Sequence, residues 1–298
     1  MATMQPGILP NAGPFALYVT LNVENLTDAV KAQLGHFHRL IADINDQYQA
    51  DLCATLSFGQ QCWQQLYQGT SFDTFKPLGA GKVTAPATEA DVLIHIHSTR
   101  HDLHFLALRK FLAPIADVVT ITDETYGYRY LDSRDMTDFV DGTENPKEDA
   151  QRQEVAAIAS GDLAGGSFVM LQRFEHNLPA WNKMGIAQQE AAVGRTKADS
   201  IELDDVPNNS HVGRVDIKEK GKGLKLVRHS LPYGSVSGPH GLLFIAYCNT
   251  QHNFKQMLES MYGEVDGVTD RLLDFTTAVT GGYYFAPSNE MLAAILAE

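Results

Sequence analysis

The sequence predicts an α+β fold built from two ferredoxin-like halves, each an antiparallel sheet carrying helices. Three observations support this. FALYVTLNVENL at 15–26 and FVMLQRFEHNL at 168–178 both read as an apolar strand running into a helix start, about 153 positions apart. DVLIHIHSTRH at 91–101 and GLLFIAYCNTQH at 241–252 repeat one scheme at an offset of 150–151: buried-type strand, polar turn, histidine, amphipathic helix. Two echoes at nearly one offset point to duplication of a unit of about 150 residues. Each unit orders strand, helix, middle segment, strand, helix and strand, which suits a ferredoxin-like sandwich better than an alternating doubly wound sheet.

The elements follow in chain order. Asn25 or Thr27 can cap a helix in which Val30, Leu34, Phe37, Ile41 and Ile44 share one face. A second helix from His101 to Leu112 packs through Leu103, Leu106 and Phe111, and Pro114 ends it. Residues 142–166 are polar and glycine-bounded, the expected linker between an N-terminal half (1–141) and a C-terminal half (167–298). Lys197 to Gly223 is a long polar stretch, and such a loop inside a compact domain is more often functional than idle. The helix from His252 to Tyr262 presents Phe254, Met257, Leu258 and Met261, with Gly263 as its natural terminator.

Composition narrows the function. With 298 residues, 44% hydrophobic and 20% charged, the chain has enough apolar material to fold, so disorder is excluded. A net charge of -13 without any Lys/Arg cluster argues against nucleic-acid binding. No apolar run reaches the roughly 20 residues that span a bilayer, and the start MATMQPGILPNAGPF lacks the marks of a secretory signal. Cys53, Cys62 and Cys248 are odd in number and far apart, as expected of reduced thiols in the cytoplasm.

Several tempting motifs carry little. GAGK at 79–82 lacks the spacing of a phosphate loop. His36 and His38, two apart on a helix, point about 200° from each other and cannot share a metal. His95 and His97 share a strand face, but no carboxylate or cysteine accompanies them, and packing histidines are the better reading. Cys62 beside Trp63 reads as helix packing, with no histidine partner for a nucleophile.

The distinctive chemistry lies in three blocks: RDMTDFVDGTENP at 134–146, NNSHVGRVDIKEKGKGLKLVRHSLPYG at 208–234, and GVTDRLLDFTTAVTGGYYFAP at 267–287. His211 sits in a polar stretch where one ring nitrogen can meet a metal or haem iron while a carboxylate orients the other; the alternative is a packed histidine. Asp141 follows Phe139-Val140 and precedes Gly142, so it is either a turn aspartate or a carboxylate raised by burial towards proton transfer. Arg228 ends an apolar run, as a salt-bridge residue or a stabiliser of negative charge.

Together the blocks resemble the B-type dye-decolourising peroxidases, a haem family with two ferredoxin-like halves. The resemblance runs from GILP at 7–10 to VTGGYYFAP at 279–287, and FVDGTENP is its most specific signature. The family motif is usually G-x-x-D-G, and here its first position is Asp138. The resemblance implies haem b held mainly by the C-terminal half, with His211 as proximal ligand to the metal. It implies Asp270 as the partner of the other imidazole nitrogen, with Asp274 one helical turn away as the alternative. Asp141 and Arg228 match the catalytic distal pair, Ser230 a further catalytic position that is Asn in some relatives, and Arg195 a partner for a haem propionate.

The implied reaction uses hydrogen peroxide to oxidise small organic reductants (dyes, phenolics, porphyrinogens) by one-electron steps. Tyr126, Tyr128, Tyr130 and Tyr233 lie near the blocks as electron relays or as strand packing. The family also implies a homodimer or higher homo-oligomer. Two other functions compete: a haem carrier or deferrochelatase-like protein, which needs His211 but not a distal Asp–Arg pair, and a cofactor-free module, which needs neither.

Overall fold

The computed structural model describes residues 2–296. The first half runs β1 (Phe15–Val23), α1 (Asp28–Gly35), α2 (Phe37–Tyr48), β2 (Cys53–Gly59), α3 (Gln60–Leu66), a β3–β4 hairpin (Leu78–Ala80 and Val83–Ala85), β5 (Val92–Ser98), α4 (His101–Leu112) and β6 (Val119–Tyr128). After α5 (Asp149–Ala156) come β7 (Ser167–His176), α6 (Leu178–Trp181), α7 (Ile186–Val193) and α8 (His211–Val215). A β8–β9 hairpin (Lys218–Glu219 and Lys222–Gly223) leads to β10 (Val227–Arg228), β11 (Leu231–Gly234), β12 (His240–Cys248) and α9 (Gln251–Met261). The chain closes with β13 (Thr276–Ala278), β14 (Gly282–Ala286) and α10 (Asn289–Ile295).

The duplication is visible in the strand order. The first half pairs as β6-β1-β5-β2 and the second as β14-β7-β12-β11, the same fourth–first–third–second arrangement. Registers agree too: Val19 faces Ile94 in the first half, and Gln172 faces Phe244 at the matching place in the second. The two sheets are not separate, however. β2 joins β14 through Phe58–Phe285, and β6 joins β11 through Gly127–Tyr233, so eight antiparallel strands close into a ring.

Strand alternation splits the apolar residues between two layers. Tyr18, Leu93, Val169, Leu171, Ile245 and Tyr247 meet within the ring, while Leu17, Val19, Ile94 and Ile96 face out to the helices. Phe37 and Ile41 of α2 and Ala107 and Phe111 of α4 cover that outer face in the first half.

Thr27 is the helix cap, its Oγ accepting the Val30 N–H at 3.3 Å. The single helix expected from the periodicity is two, divided at His36. Gly35 lacks the Cβ that would crowd the Leu296 carbonyl, and glycine is a poor helix former. α4 has the expected bounds, and Gly263 (φ +76°) follows α9. His95 and His97 are packing histidines: His95 Nδ1 meets the Tyr247 hydroxyl at 2.8 Å, and His97 bonds Gly7 and Gly13. Burial lowers both, His97 to about 4. No helix among the described residues is long and apolar enough to cross a membrane.

Candidate active site

A cavity of about 490 Å³ opens on the outer face of the second half's sheet, where the first half has its helix-covered core. That size lies within the range of small-molecule and cofactor sites. Met170, Phe174 and Phe244 form its floor, Met257 and Met261 of α9 one wall, and residues of the 135–144 segment another. His211, Asp270, Asp141, Arg228 and Arg195 all line it.

His211 is the first residue of α8, a helix started by Ser210, whose Oγ accepts the Gly213 N–H. Its Nδ1 lies 2.6 Å from Asp270 Oδ2, and its Nε2 has no protein partner among the described residues. Asp270 is fully buried and its other oxygen accepts the Leu272 N–H at 2.9 Å, so the carboxylate is fixed. A carboxylate that binds one imidazole nitrogen sets the tautomer and leaves the other as an electron donor. Asp270 precedes the helical turn 271–274, and Asp274 is exposed, so Asp270 is the partner.

In the same lining, Arg228 Nη1 stands 3.5 Å from Asp141 Oδ1, both side chains about one-quarter exposed. Asp141 reaches this place on a tight loop: Arg134 bridges Tyr130 and Val140, and Asp141 N–H donates to the Ser133 carbonyl. Asp138, where the family motif has glycine, takes a left-handed φ of +68°, a conformation Asp tolerates better than most residues. Its carboxylate pairs with Lys197 at 3.2 Å.

Ser230 is not among the residues lining the cavity. Its hydroxyl accepts the Ile245 N–H at 3.2 Å, patching the break between β10 and β11. Arg195 is at the rim, bound to Glu144 at 2.6 Å and 3.5 Å from Glu202, while Lys225 also holds Glu144 at 3.1 Å. The lysine and arginine together keep the Glu144 carboxyl below its ordinary range. Tyr126, Tyr128, Tyr130 and Tyr233 do not line the cavity; Tyr233 hydrogen-bonds the Phe174 carbonyl from within the sheet.

Two groups were not singled out from the sequence. His176 lines the cavity with Nε2 at 2.9 Å from Asp135 and Nδ1 at 2.7 Å from Thr276 Oγ. Burial opposes ionisation of Asp135, yet His176 and the Thr137 hydrogen bonds keep its carboxyl below the usual range. Trp181 wedges between Phe139 and Phe275 and donates Nε1–H to the Thr137 carbonyl, tying the Asp141 segment to the turn after Asp270. Asp135 stood inside a flagged block, but His176 reads as one polar position of an alternating strand.

The fold is α+β, and one cavity is lined by a carboxylate-bound histidine and a carboxylate–guanidinium pair. The N-terminal domain of the Dyp-type peroxidases matches residues 5–129, and their C-terminal domain matches residues 132–291. The chain belongs to the Dyp-type peroxidase family, haem enzymes that act on peroxide. It is 38% identical to the dye-decolorizing peroxidase of Mycolicibacterium paratuberculosis over 96% of this chain and 84% of that one. Among solved structures it resembles the dye-decolorizing protein of V. cholerae (59% identity, 97% and 99% coverage, TM-score 0.94). It also resembles a Rhodococcus jostii DypB variant in complex with heme (31% identity, 99% and 100% coverage, TM-score 0.92).

Proposed function

We propose that the cavity binds haem b, that His211 would hold its iron, and that Asp141 and Arg228 would handle hydrogen peroxide. Organic donors such as dyes, phenolics and porphyrinogens then give up electrons one at a time. A single observation carries the reading: the Asp270-bound histidine and the Asp141–Arg228 pair line one largely apolar cavity. The donor set fits the group, with one imidazole nitrogen for iron, apolar walls for the macrocycle, and cations at the rim for its carboxylates.

Haem, when bound, supplies the iron that holds peroxide and the electrons that break the O–O bond. The protein supplies the rest. Asp270 keeps the proton on His211 Nδ1 and so strengthens Nε2 as a donor. An Asp141 carboxylate oxygen takes the peroxide proton and delivers it to the departing oxygen, so water leaves instead of hydroxide. Arg228 offsets the negative charge that builds on that oxygen. For Arg195 to meet a propionate, Glu144 must release it.

A B-type assignment, a homodimer or higher homo-oligomer and a cytoplasmic location complete the reading, the last supported by three free thiols. The Asp141–Arg228 pair favours a peroxidase over a haem carrier or deferrochelatase, which has no use for it. The test is the absorption spectrum of the haem-loaded protein before and after one equivalent of peroxide. A Soret band that shifts and returns on adding a phenol is expected; a Soret band that never responds would favour the carrier, and no Soret band would overturn the proposal.

A further inference from the structure

Arg228 lies on a two-residue strand with a single neighbour. Among the described residues β10 pairs only with β12, through Val227–Tyr247 and Arg228–Ala246, and the His229 N–H then donates to the Ile245 carbonyl at 3.0 Å. In an antiparallel pair, alternate residues turn both main-chain groups away from the partner. The Arg228 N–H and C=O therefore face the open side of β10, where no strand runs.

Asn145 fills that side. Its Oδ1 accepts the Arg228 N–H at 2.8 Å, and its Nδ2 donates to the Arg228 carbonyl at 2.7 Å. The carboxamide acts as one peptide of a missing strand. Asn145 also closes the turn that follows Asp141: its own N–H donates to the Gly142 carbonyl at 3.1 Å, and the Gly142 N–H donates to Asp141 Oδ1 at 2.7 Å. The loop that presents Asp141 thus ends in a two-point clamp on the main chain of Arg228.

We infer that Asn145 is a positioning residue that sets Arg228 against Asp141 and so holds the spacing of the distal pair. It is not among the residues lining the cavity and acts through the two that are. The neighbouring His229 is held separately: Arg152 Nη2 lies 3.1 Å from its Nε2, and the Tyr18 hydroxyl donates to its carbonyl at 2.8 Å. These contacts hold the residue after Arg228 by a separate route, but they do not replace the bonds at residue 228. This inference rests on the assignment of Asp141 and Arg228 to the peroxide side.

Asn145→Ala removes both bonds, and Asn145→Asp keeps the acceptor but loses the donor. Hydrogen exchange at the Arg228 amide of the haem-free chain is the first measurement: exchange should quicken in Asn145→Ala and stay slow in Asn145→Asp. An unchanged rate in Asn145→Ala would mean there is no clamp. The second measurement uses the haem-loaded variants at equal haem content, reading the bimolecular rate with peroxide and the pH dependence of cyanide binding from the Soret band. Misplacing a reacting group by about 1 Å can cost on the order of 10²-fold. Asn145→Ala should therefore slow the peroxide reaction about 10- to 100-fold and shift the cyanide pH profile, with Asn145→Asp between it and the parent. If Asn145→Ala does not fold, the same comparison is made on Asn145→Asp alone. Arg228→Leu and Asp141→Asn serve as controls. If neither slows the reaction, the reading of the site fails; if both do while the Asn145 variants keep the parent rate and profile, the inference fails.

Discussion

Val19 and Gln172 stand at matching places in the two halves, each opposite the same strand of its own sheet, and their surroundings differ. Val19 is covered by a packed layer that includes Phe37, Ile41, Ala107 and Phe111, while Gln172 lines the cavity. The strand frames are alike, so the difference lies in the connections. Between β1 and β2 the chain lays α1 and α2 directly on the sheet. Between β7 and β10 it makes the short α6 and α7, which pack on the Phe139–Trp181 cluster, then the five-residue α8 that begins at His211, and the β8–β9 hairpin. A cofactor-sized space arises here by moving a helix layer aside, with the sheet beneath left unchanged.

The sharpest way to break this comparison is at its polar groups. His211→Ala should abolish stable haem binding or restore it only with added imidazole; stoichiometric haem with an unchanged Soret band would remove His211 from the axial role. Asp141→Asn keeps the shape but loses the base, so the spectral response to peroxide should slow by roughly 10²–10⁴-fold. Arg228→Leu should cost roughly 10²–10³-fold. Because both groups act on one step, the double variant should fall short of the product of the two losses; stopped-flow mixing across pH 4–8 measures all three.

The apolar layers give the next effect. Phe111 is fully buried in the first half, and Phe111→Ala should destabilise the haem-free chain by about 3–5 kcal/mol. Phe244, partly buried at the cavity floor, already lacks neighbours on one side, so Phe244→Ala should cost the haem-free chain far less and weaken haem binding instead. Equal losses in chemical denaturation would mean the two layers are packed alike.

Acid should act through the histidines that burial shifts downward, His38, His95, His97 and His104 in the first half and His229 in the second. Burial lowers His97 and His104 to about 4, against about 6.5 in an unfolded chain. Between those values the unfolded state binds protons that the folded state refuses, so stability falls as pH drops from 6.5 towards 4 and is unaffected above 6.5. The loss is at most about 3 kcal/mol for each ring. A thermal midpoint that stays flat from pH 7 to 4.5 would contradict it. The smallest expected change is Asp270→Asn, which should raise the ferric/ferrous potential of the haem-loaded protein, with Asp274→Asn leaving it in place.

How much of this was legible in the sequence depended on the range of each interaction. Local patterns carried far: the paired echoes marked matching strands, and the α4 periodicity gave its bounds. The three polar blocks held His211, Asp270, Asp141 and Arg228 because motif residues stay together in sequence. What was illegible depends on partners far away. Closure of the ring needs Phe58 to meet Phe285 and Gly127 to meet Tyr233, contacts with no local signal. The Leu296 carbonyl that crowds position 35 comes from the far end of the described residues. Ser230 and Asn145 look alike as small polar loop residues, and only the strand edge they meet separates their parts: one patches β12, and the other holds Arg228.

The closed ring has a consequence for how such a molecule can change. Each half completes the other at both edges, as two subunits would, yet the pair is one chain and cannot dissociate. In a symmetric homodimer a substitution is copied into both subunits, so hollowing one core to admit a ligand hollows its mate as well. Joining the copies removes that constraint. One half can then carry a cavity and its chemistry while the other keeps the apolar layer that holds the pair together.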